Sequence, residues 1–327
     1  MKKVLITGGC GYIGSHIAEI LVRKRIKIIV IDNFKSGYKK LLNKKAKFYK
    51  LNILNTKKLN SIIRKENVDS VIHLAASLSI SEGEKFPKKY FTNNVTGTLS
   101  VVNACLRTSV KNFIFSSSAA VYKDGLYKVK ENSKLLPKSV YGKTKLFGEK
   151  IIKKNFKKKI NYGILRYFNV VGASKSGKIG LINKSDHLFK NISSEMLKSK
   201  PKINIYGNNY NTPDGTPVRD FIHVSDLANL HFKVLKKISS LGKSIILNCG
   251  YGKGISVLEV ANEFTKQSKK PVKIIFKKRR KGDMEKIITD TKLLKNYINW
   301  KPKISKLKDM VKTTNLWETK LKLIKSK

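Results

Sequence analysis

The sequence predicts an α/β fold, with a doubly wound parallel sheet and a smaller mixed α/β domain for a substrate. Three observations predict it. Short apolar runs alternate with amphipathic runs through the first half of the chain, which is typical of parallel sheets. A glycine-rich turn follows the first apolar run, and an acidic residue ends the second. Small or polar residues end the later runs, at the strand ends where such sheets bind ligands.

The first unit is a strand, a glycine turn, a helix and a second strand, which is the Rossmann-type arrangement. Glycines between Gly8 and Gly14 let the backbone turn tightly and approach a pyrophosphate at a helix N-terminus. Asp32 ends the second strand, 18 residues after Gly14. A carboxylate there accepts hydrogen bonds from a ribose diol and disfavours a 2′-phosphate, so NAD is favoured over NADP, although Lys35 is close. The alternative is a tight turn without a ligand.

Further strands are predicted at 48–51, 71–76 and 112–115, with helices between them. Ala75 and Ala76 end one of these strands, and the serines 116–118 follow the next. Because the carboxyl ends of parallel strands meet at one edge, we expect these residues to lie beside the glycine turn. His73 is predicted to be a core or strand-end histidine.

A tyrosine and a lysine lie four residues apart in the run Tyr141-Gly142-Lys143-Thr144-Lys145. On a helix this spacing puts both on one face. A phenol, with a pKa near 10, is a poor base at neutral pH. A lysine cation one turn away, together with a cationic cofactor, lowers that pKa and makes an acid/base pair. The alternative is a solvated helix face.

The motifs together resemble the extended short-chain dehydrogenase/reductases, and among them the sugar-nucleotide 4-epimerases. The glycine run and the Tyr-x-x-x-Lys pair are shared across the superfamily, and the combination with the second half of the chain points to the epimerases. The match covers essentially the whole chain. The runs that carry the resemblance are residues 8–16, 32–33, 93–98, 113–122, 141–145 and 166–169.

The resemblance implies reversible C4 epimerisation of UDP-glucose and UDP-galactose in galactose metabolism, through a transient 4-keto sugar with tightly bound NAD. Tyr141 would be the base, Ser118 would bind the same hydroxyl and relay its proton, and Lys145 would hold the nicotinamide ribose. The related dehydratases carry an Asp-Glu pair where Ala119 and Ala120 follow Ser118 here, so dehydration is disfavoured. A UDP-N-acetylhexosamine, UDP-glucuronate or UDP-pentose substrate, or decarboxylation of UDP-glucuronate, remains an alternative.

The resemblance also implies the binding residues, and a homodimer formed through the helix that bears Tyr141. The cofactor residues are Gly8, Gly11, Tyr12, Ile13, Gly14, Asp32, Asn33, Asn52, Ile53, Leu74, Ala75, Ala76, Asn93, Ser116, Tyr141, Lys145 and Phe168. The substrate residues are Ser118, Tyr141, Asn169, His187, Leu188, Tyr206, Arg219, Arg280 and Asp283. Asn52 stands where an acid often contacts the adenine, and Ile287 stands where substrate size is gated.

In the second half of the chain, the alternation of strand and helix patterns is less regular. We expect an NAD-binding domain over 1–168, which also includes about 220–250, and a substrate domain in discontinuous segments over 169–327. Three of the eight arginines, Arg219, Arg279 and Arg280, are candidates for a diphosphate clamp because arginine pairs with phosphate in a fixed fork. The alternative is structural salt bridges with Asp220 and Asp283.

The bulk composition is strongly basic, with 70 basic and 21 acidic residues among 327. Such a charge attracts polyanions, so a polyanion-binding protein on this scaffold is the competing hypothesis. The lysines are spread along the chain, and we expect no specific nucleic-acid partner. Three widely spaced cysteines indicate neither a disulfide framework nor a metal site, and the short apolar run at the start is not a signal peptide. The sequence predicts a cytoplasmic protein with no membrane or metal partner.

Overall fold

A computed structural model describes residues 2–183, 186–280 and 284–325. Within these residues the strands are β1 Lys3–Thr7, β2 Lys27–Asp32, β3 Lys47–Lys50, β4 Ser70–His73, β5 Asn112–Ser118, β6 Lys128–Val129, β7 Asn161–Tyr167, β8 Asn169–Val171, β9 Lys202–Tyr206, β10 Val218–His223, β11 Ile245–Cys249, β12 Gly254–Ser256, β13 Lys273–Lys277 and β14 Lys286–Thr289. The helices are α1 Tyr12–Arg23, α2 Thr56–Lys65, α3 Ile80–Lys85, α4 Pro87–Tyr90, α5 Gly97–Leu106, α6 Val140–Phe156, α7 Leu188–Met196, α8 Val224–Leu241, α9 Val257–Lys266, α10 Lys292–Ile298 and α11 Leu307–Lys325. A π-helical stretch, Phe91–Thr96, joins α4 to α5.

The main sheet has seven parallel strands in the order β11-β7-β5-β4-β1-β2-β3. The chain moves outward in one direction from β1 to β3 and then returns to the other side of β1 with β4. This reversal makes the β1/β4 junction the topological switch point, where ligands bind in doubly wound sheets. The predicted parallel α/β fold is therefore confirmed.

Successive residues of the central strands point to opposite faces, and each face has its own core. Val4, Ile6 and Ile72 pack with α1 and α8 on one face, whereas Leu5 and Val71 pack with α2, α5 and α6 on the other. Both faces are therefore covered by helices, which explains why the strands read as continuous apolar runs.

The later part of the chain contributes to both sheets. Strand β11 lies within the 220–250 segment expected to rejoin the first domain, and it pairs with β7 at the edge of the main sheet. A second sheet runs β12-β10-β14-β6, with β8 also paired to β10, and β13 pairs with β9. A separate apolar cluster around Phe189, Phe221 and Phe264 holds α7 and α9 against these strands.

Candidate active site

The glycine turn lies at the switch point. Gly8 follows β1 with φ +72°, and a Cβ at this position would lie 2.9 Å from the backbone nitrogen of Ala75, just beyond β4. A Cβ at Gly14 would lie 2.3 Å from the carbonyl oxygen of Gly8. Only glycine allows this left-handed turn and these close approaches. Gly11 is the N-cap of α1, so the turn presents a helix N-terminus suited to a pyrophosphate.

Asp32 ends β2 beside this turn, and its side chain is 7% exposed. Its carboxylate accepts hydrogen bonds from the backbone nitrogens of Cys10, at 3.0 Å, and Phe34, at 2.8 Å. Burial raises the pKa of Asp32, and these two hydrogen bonds oppose the increase. A carboxylate has about four acceptor positions, so the residue retains capacity for a ribose diol. The glycine cradle and this acid fit NAD.

The other expected cofactor residues line the same edge of the sheet. Leu74, Ala75 and Ala76 are half-buried after β4 and next to Gly8. Asn93 is also half-buried, and its side-chain amide donates to the hydroxyl of Ser77 at 3.2 Å. The other residues expected to bind the cofactor differ in exposure. Asn33 and Asn52 are exposed, Tyr12 and Ile13 are half-buried, and Ile53 and Phe168 are buried.

Helix α6 carries Tyr141 in its first turn and begins with two caps. The hydroxyl of Ser139 accepts a hydrogen bond from the backbone nitrogen of Gly142 at 3.1 Å. The Glu84 carboxylate, on α3, accepts another from the nitrogen of Val140 at 2.8 Å. A Cβ at Gly142 would lie 2.3 Å from the carbonyl oxygen of Ala120. The helix therefore approaches the end of β5 closely enough to bring Tyr141 to Ser118.

Burial raises the pKa of the Tyr141 phenol to about 12, and a hydrogen bond with the side chain of Ser118 opposes this increase. The Lys145 Nζ lies 5.8 Å from the centroid of the Tyr141 ring. The protein groups by themselves thus keep the phenol protonated at neutral pH. At the sequence level, a lowered Tyr141 pKa is attributed to Lys145 together with a cationic cofactor. The positive charge of a nicotinamide ring is therefore still required to lower this pKa.

Lys145 lies beneath Tyr141 on the same face of α6 and is 2% exposed. Its Nζ donates to the carbonyl oxygen of Ser116 at 2.8 Å and lies 5.2 Å from the centroid of the Phe115 ring. Burial lowers the pKa of Lys145 to about 7, whereas the negative charge of Glu149 raises it. The charge state of this lysine is therefore sensitive to its neighbours near neutral pH.

A buried network behind the pair was missed at the sequence level. Glu149 accepts hydrogen bonds from Ser117 Oγ at 2.5 Å, Arg166 Nε at 2.9 Å and Arg166 Nη2 at 2.7 Å. Asn94 donates to Thr144 Oγ1 at 3.1 Å. The available signal was the continuation of the i, i+4 series from Tyr141 and Lys145 to Glu149.

His73 is a core residue, as predicted. Its Nδ1 lies 2.7 Å from Thr7 Oγ1, and its Nε2 lies 3.1 Å from Thr98 Oγ1. Burial, with a smaller effect from the charge of Lys145, lowers its pKa to about 3. The imidazole is therefore neutral at physiological pH and joins β1, β4 and α5.

Strand β10 brings three expected substrate positions into one sheet. Arg219 is opposite Ile287 of β14, and Phe221 is opposite Asn169 of β8. The half-buried Arg219 donates to the carbonyl oxygens of Val218 at 3.0 Å and Glu285 at 3.3 Å. Ile287 is buried with Phe168 in an apolar cluster that includes Ala119, so this cluster reaches the residue that follows Ser118.

Two neighbouring arginines stack on two different tyrosines. The Arg280 guanidinium carbon lies 3.8 Å from the centroid of the Tyr206 ring, at the end of β9. That of Arg279 lies 3.9 Å from the centroid of Tyr210, and its Nε donates to Asn209 Oδ1 at 2.6 Å. Both stacks are cation–π contacts, and Arg279 is also anchored to Asn209.

The remaining expected residues lie around this strand. His187 is the N-cap of α7 and Leu188 its first residue, and burial lowers the pKa of His187. The Asp220 carboxylate accepts hydrogen bonds from the backbone nitrogens of Tyr251 and Gly252 at 2.8 Å each. It is therefore committed to the backbone, which disfavours the salt-bridge role considered for it. Asp283 lies outside the described residues.

The fold and these side chains define a dinucleotide-binding enzyme scaffold in which a serine, a tyrosine and a lysine lie together at the carboxyl edge of the sheet. The chain belongs to the NAD dependent epimerase/dehydratase family, whose family model matches residues 4–250. Among the described residues, we find no helix with the length and apolarity required to span a membrane.

Individual relatives are similar over nearly the whole chain. The UDP-glucose 4-epimerase of Lactobacillus helveticus is 38% identical over 320 residues, which cover 96% of each chain. The structure of the UDP-glucose 4-epimerase from Stenotrophomonas maltophila, with bound NAD and formylated UDP-arabinopyranose, is 30% identical with a TM-score of 0.95, covering 99% of this chain and 100% of that one. The enzyme from Bifidobacterium longum, in complex with NAD+ and UDP, is 31% identical with a TM-score of 0.90 and 98% coverage of both chains.

Proposed function

We propose that the protein interconverts UDP-glucose and UDP-galactose by reversible inversion at C4, using tightly bound NAD. The observation that carries the proposal is the placement of Tyr141 and Lys145 on α6 against Ser116 and Ser118, at the ligand-binding edge of the sheet. The relatives over the full chain support the same activity.

Each residue of the set has a distinct part. Tyr141 takes the proton of the sugar 4-hydroxyl and returns it after the 4-keto sugar has turned over. Ser118 orients that hydroxyl and Tyr141, with which it shares a hydrogen bond. Lys145 holds the nicotinamide ribose and supplies positive charge near the phenol. NAD, when bound, would accept the C4 hydride and return it to the opposite face of the sugar, so no second substrate would be needed.

Dehydration is the less suitable chemistry for this site. Loss of the 6-hydroxyl from the 4-keto sugar requires an additional acid to protonate the leaving group. Ala119 and Ala120 follow Ser118, and Ala119 is packed in the apolar cluster with Ile287. The described surroundings of Ser118 therefore support return of the intermediate to a 4-hydroxy sugar.

The direct test is incubation of the purified protein with UDP-galactose and no added NAD. Formation of UDP-glucose to an equilibrium mixture is the expected result, because the cofactor should remain bound and be regenerated in each cycle. Absence of turnover combined with salt-resistant binding of nucleic acid would favour the competing polyanion-binding function. Binding that disappears with salt would reflect only the general positive charge.

We expect Arg280→Gln to raise the KM for UDP-galactose by about 10–100-fold with a smaller change in kcat, because a charge-assisted hydrogen bond to phosphate contributes roughly 1.5–3 kcal/mol. Arg280 is exposed and stacked on Tyr206, so its removal should not disturb the core. The matched control is Arg279→Gln, since Arg279 is anchored to Asn209 and Tyr210. Equal KM effects in the two variants would contradict the specific assignment.

We further propose a homodimer formed through α5 and α6. Leu99 on α5 and Phe147 on α6 expose 38% and 44% of their surface, and Phe91 packs edge-on against Phe147 with ring centroids 5.8 Å apart. A second copy would cover this apolar face. Light scattering of the purified protein should give twice the chain mass, and a monomer at micromolar concentration would reject the proposal.

The domain division and the location of the protein are proposed on separate grounds. The domain boundary is placed at about residue 168, and residues 220–250 are assigned to the first domain. Two contacts support this division: β11 pairs with β7 of the main sheet, and α8 packs against one face of that sheet. Limited proteolysis should cleave near these boundaries.

The buried free thiols Cys10, Cys105 and Cys249 suit a reducing compartment. Recovery of the protein outside the cytoplasmic fraction of its cells would reject that location.

A further inference from the structure

One face of α6 is matched to three successive residues of β5. Tyr141, Lys145 and Glu149 recur at intervals of four and share that face. Tyr141 pairs with the side chain of Ser118, Lys145 binds the carbonyl oxygen of Ser116, and Glu149 accepts from the hydroxyl of Ser117. Glu149 therefore fixes the one residue that lies between the two contacts of the acid/base pair.

Glu149 is in turn held by Arg166 of β7. Their side chains are 1% and 2% exposed, and the arginine binds both carboxylate oxygens. Arg166 also donates to the Tyr122 hydroxyl at 2.9 Å and the Glu131 carbonyl oxygen at 2.8 Å. An arginine is protonated at all physiological pH values, and its two hydrogen bonds hold the Glu149 side chain in a fixed position.

Among the residues that the structure describes, the following titratable groups surround Lys145. On α6 they are Tyr141 and Glu149, on β4 the neutral His73, and on β7 Arg166, which is bound to Glu149. Its contacts on β5 are the Ser116 carbonyl oxygen and the Phe115 ring. Among these groups, Glu149 is the source of negative charge that favours the protonated lysine.

Resting on the proposed function, we propose that Glu149 is a positioning residue that keeps Lys145 cationic and holds the Ser116–Ser118 strand end in register with α6. It does not touch the reacting atoms. Its role is to extend the pH range over which Lys145 keeps its proton beside the Tyr141 phenol.

The consequence follows from the coupling of the two groups. Burial pulls the pKa of Lys145 down to about 7, and Glu149 acts against that decrease. With the carboxylate present, Lys145 keeps its proton to a higher pH, and its positive charge favours the phenolate of Tyr141. Without it, Lys145 loses its proton at a lower pH, and Tyr141 remains a phenol until a higher pH. The rise of kcat with increasing pH (the ascending limb of the pH profile) should then occur at a higher pH.

The test compares Glu149→Gln with Glu149→Asp in the purified full chain with its bound NAD. Glu149→Gln should move the ascending kcat limb up by about one pH unit or more, since an opposite charge at this range shifts a pKa by roughly 1–3 units, with recovery at high pH. Glu149→Asp keeps the charge and should leave the limb near its original pH. Phenolate absorbance, taken as the difference from Tyr141→Phe, should shift in parallel and does not depend on turnover.

The control for a merely structural loss is Glu318→Gln, which breaks another buried ion pair, Lys190–Glu318, at 2.5 Å between α7 and α11. It should lower thermal stability without moving the limb. If Glu149→Gln does not fold, the double variant Glu149→Leu/Arg166→Met replaces the pair with apolar side chains and should show the same shift. The inference would be overturned if, in whichever variant folds, neither the ascending kcat limb nor the phenolate titration shifted to a different pH. An inactive parent protein would instead overturn the proposed function.

Discussion

Replacing Tyr141 by phenylalanine should lower kcat by about 10²–10⁴-fold, which is the range that a positioned acid/base group contributes. The substitution removes one hydroxyl from a half-buried ring and leaves α6 capped by Ser139 and Glu84. NAD should stay bound, because the glycine turn and Asp32 are unchanged. The measurement is turnover of UDP-galactose together with the NAD content of each purified chain.

The matched control for this prediction is Tyr162→Phe. Tyr162 is half-buried at the amino end of β7, whereas the active site lies at the carboxyl ends of the strands. Removing the Tyr162 hydroxyl should leave kcat within about twofold of the parent value, as expected for a change outside the active site. A Tyr141→Phe enzyme with a near-normal rate would show that another group is the base.

A second large effect is expected from Gly14→Ala, which should abolish tight NAD binding and reduce turnover more than 100-fold, or by roughly 3 kcal/mol. The added Cβ would lie 2.3 Å from the Gly8 carbonyl oxygen and 2.8 Å from the Gly9 Cα. These are backbone atoms that cannot rotate aside. The turn must therefore open, and its backbone nitrogens lose their arrangement for a pyrophosphate.

Ser15→Ala tests whether this effect is specific to the turn. Ser15 is the next residue of α1, is 1% exposed, and its hydroxyl donates to the Tyr12 carbonyl oxygen at 3.0 Å. Alanine suits a helix interior, so the variant should purify with NAD at the level of the parent. Equilibrium dialysis with NAD measures both variants. Retention of stoichiometric NAD by Gly14→Ala would contradict the role assigned to this position.

The elements that could be predicted from the sequence are those whose signals are local. The strand at Val4, the glycine turn and the acid at Asp32 follow one another within 32 residues, and each has its own short-range pattern. The spacing of Tyr141 and Lys145 would put both on one face of a helix, and α6 carries both residues. Strand ends were less certain: β5 continues through Ser118, because pairing with β7 extends the ladder beyond the apolar run.

The surroundings of the acid/base pair could not be predicted in the same way. Glu149 belongs to a lysine-rich helix, yet it is 1% exposed and bound to Arg166. Arg219, expected as a diphosphate ligand or a salt-bridge partner, binds backbone carbonyl oxygens between β10 and β14. The pKa of a side chain depends on such burial and pairing, which spacing does not report.

The sequence by itself determined the α/β alternation, the nucleotide turn and the pairing of Tyr141 with Lys145, because these depend on periodicity and on steric rules that act over a few residues. Only the tertiary structure decided that Ser116, Ser117 and Ser118 divide their contacts among the three residues of one helix face. It also placed Arg166 behind Glu149 and His73 in the core. These partners meet only when the sheet closes, so burial and charge pairing between distant residues determine their chemistry.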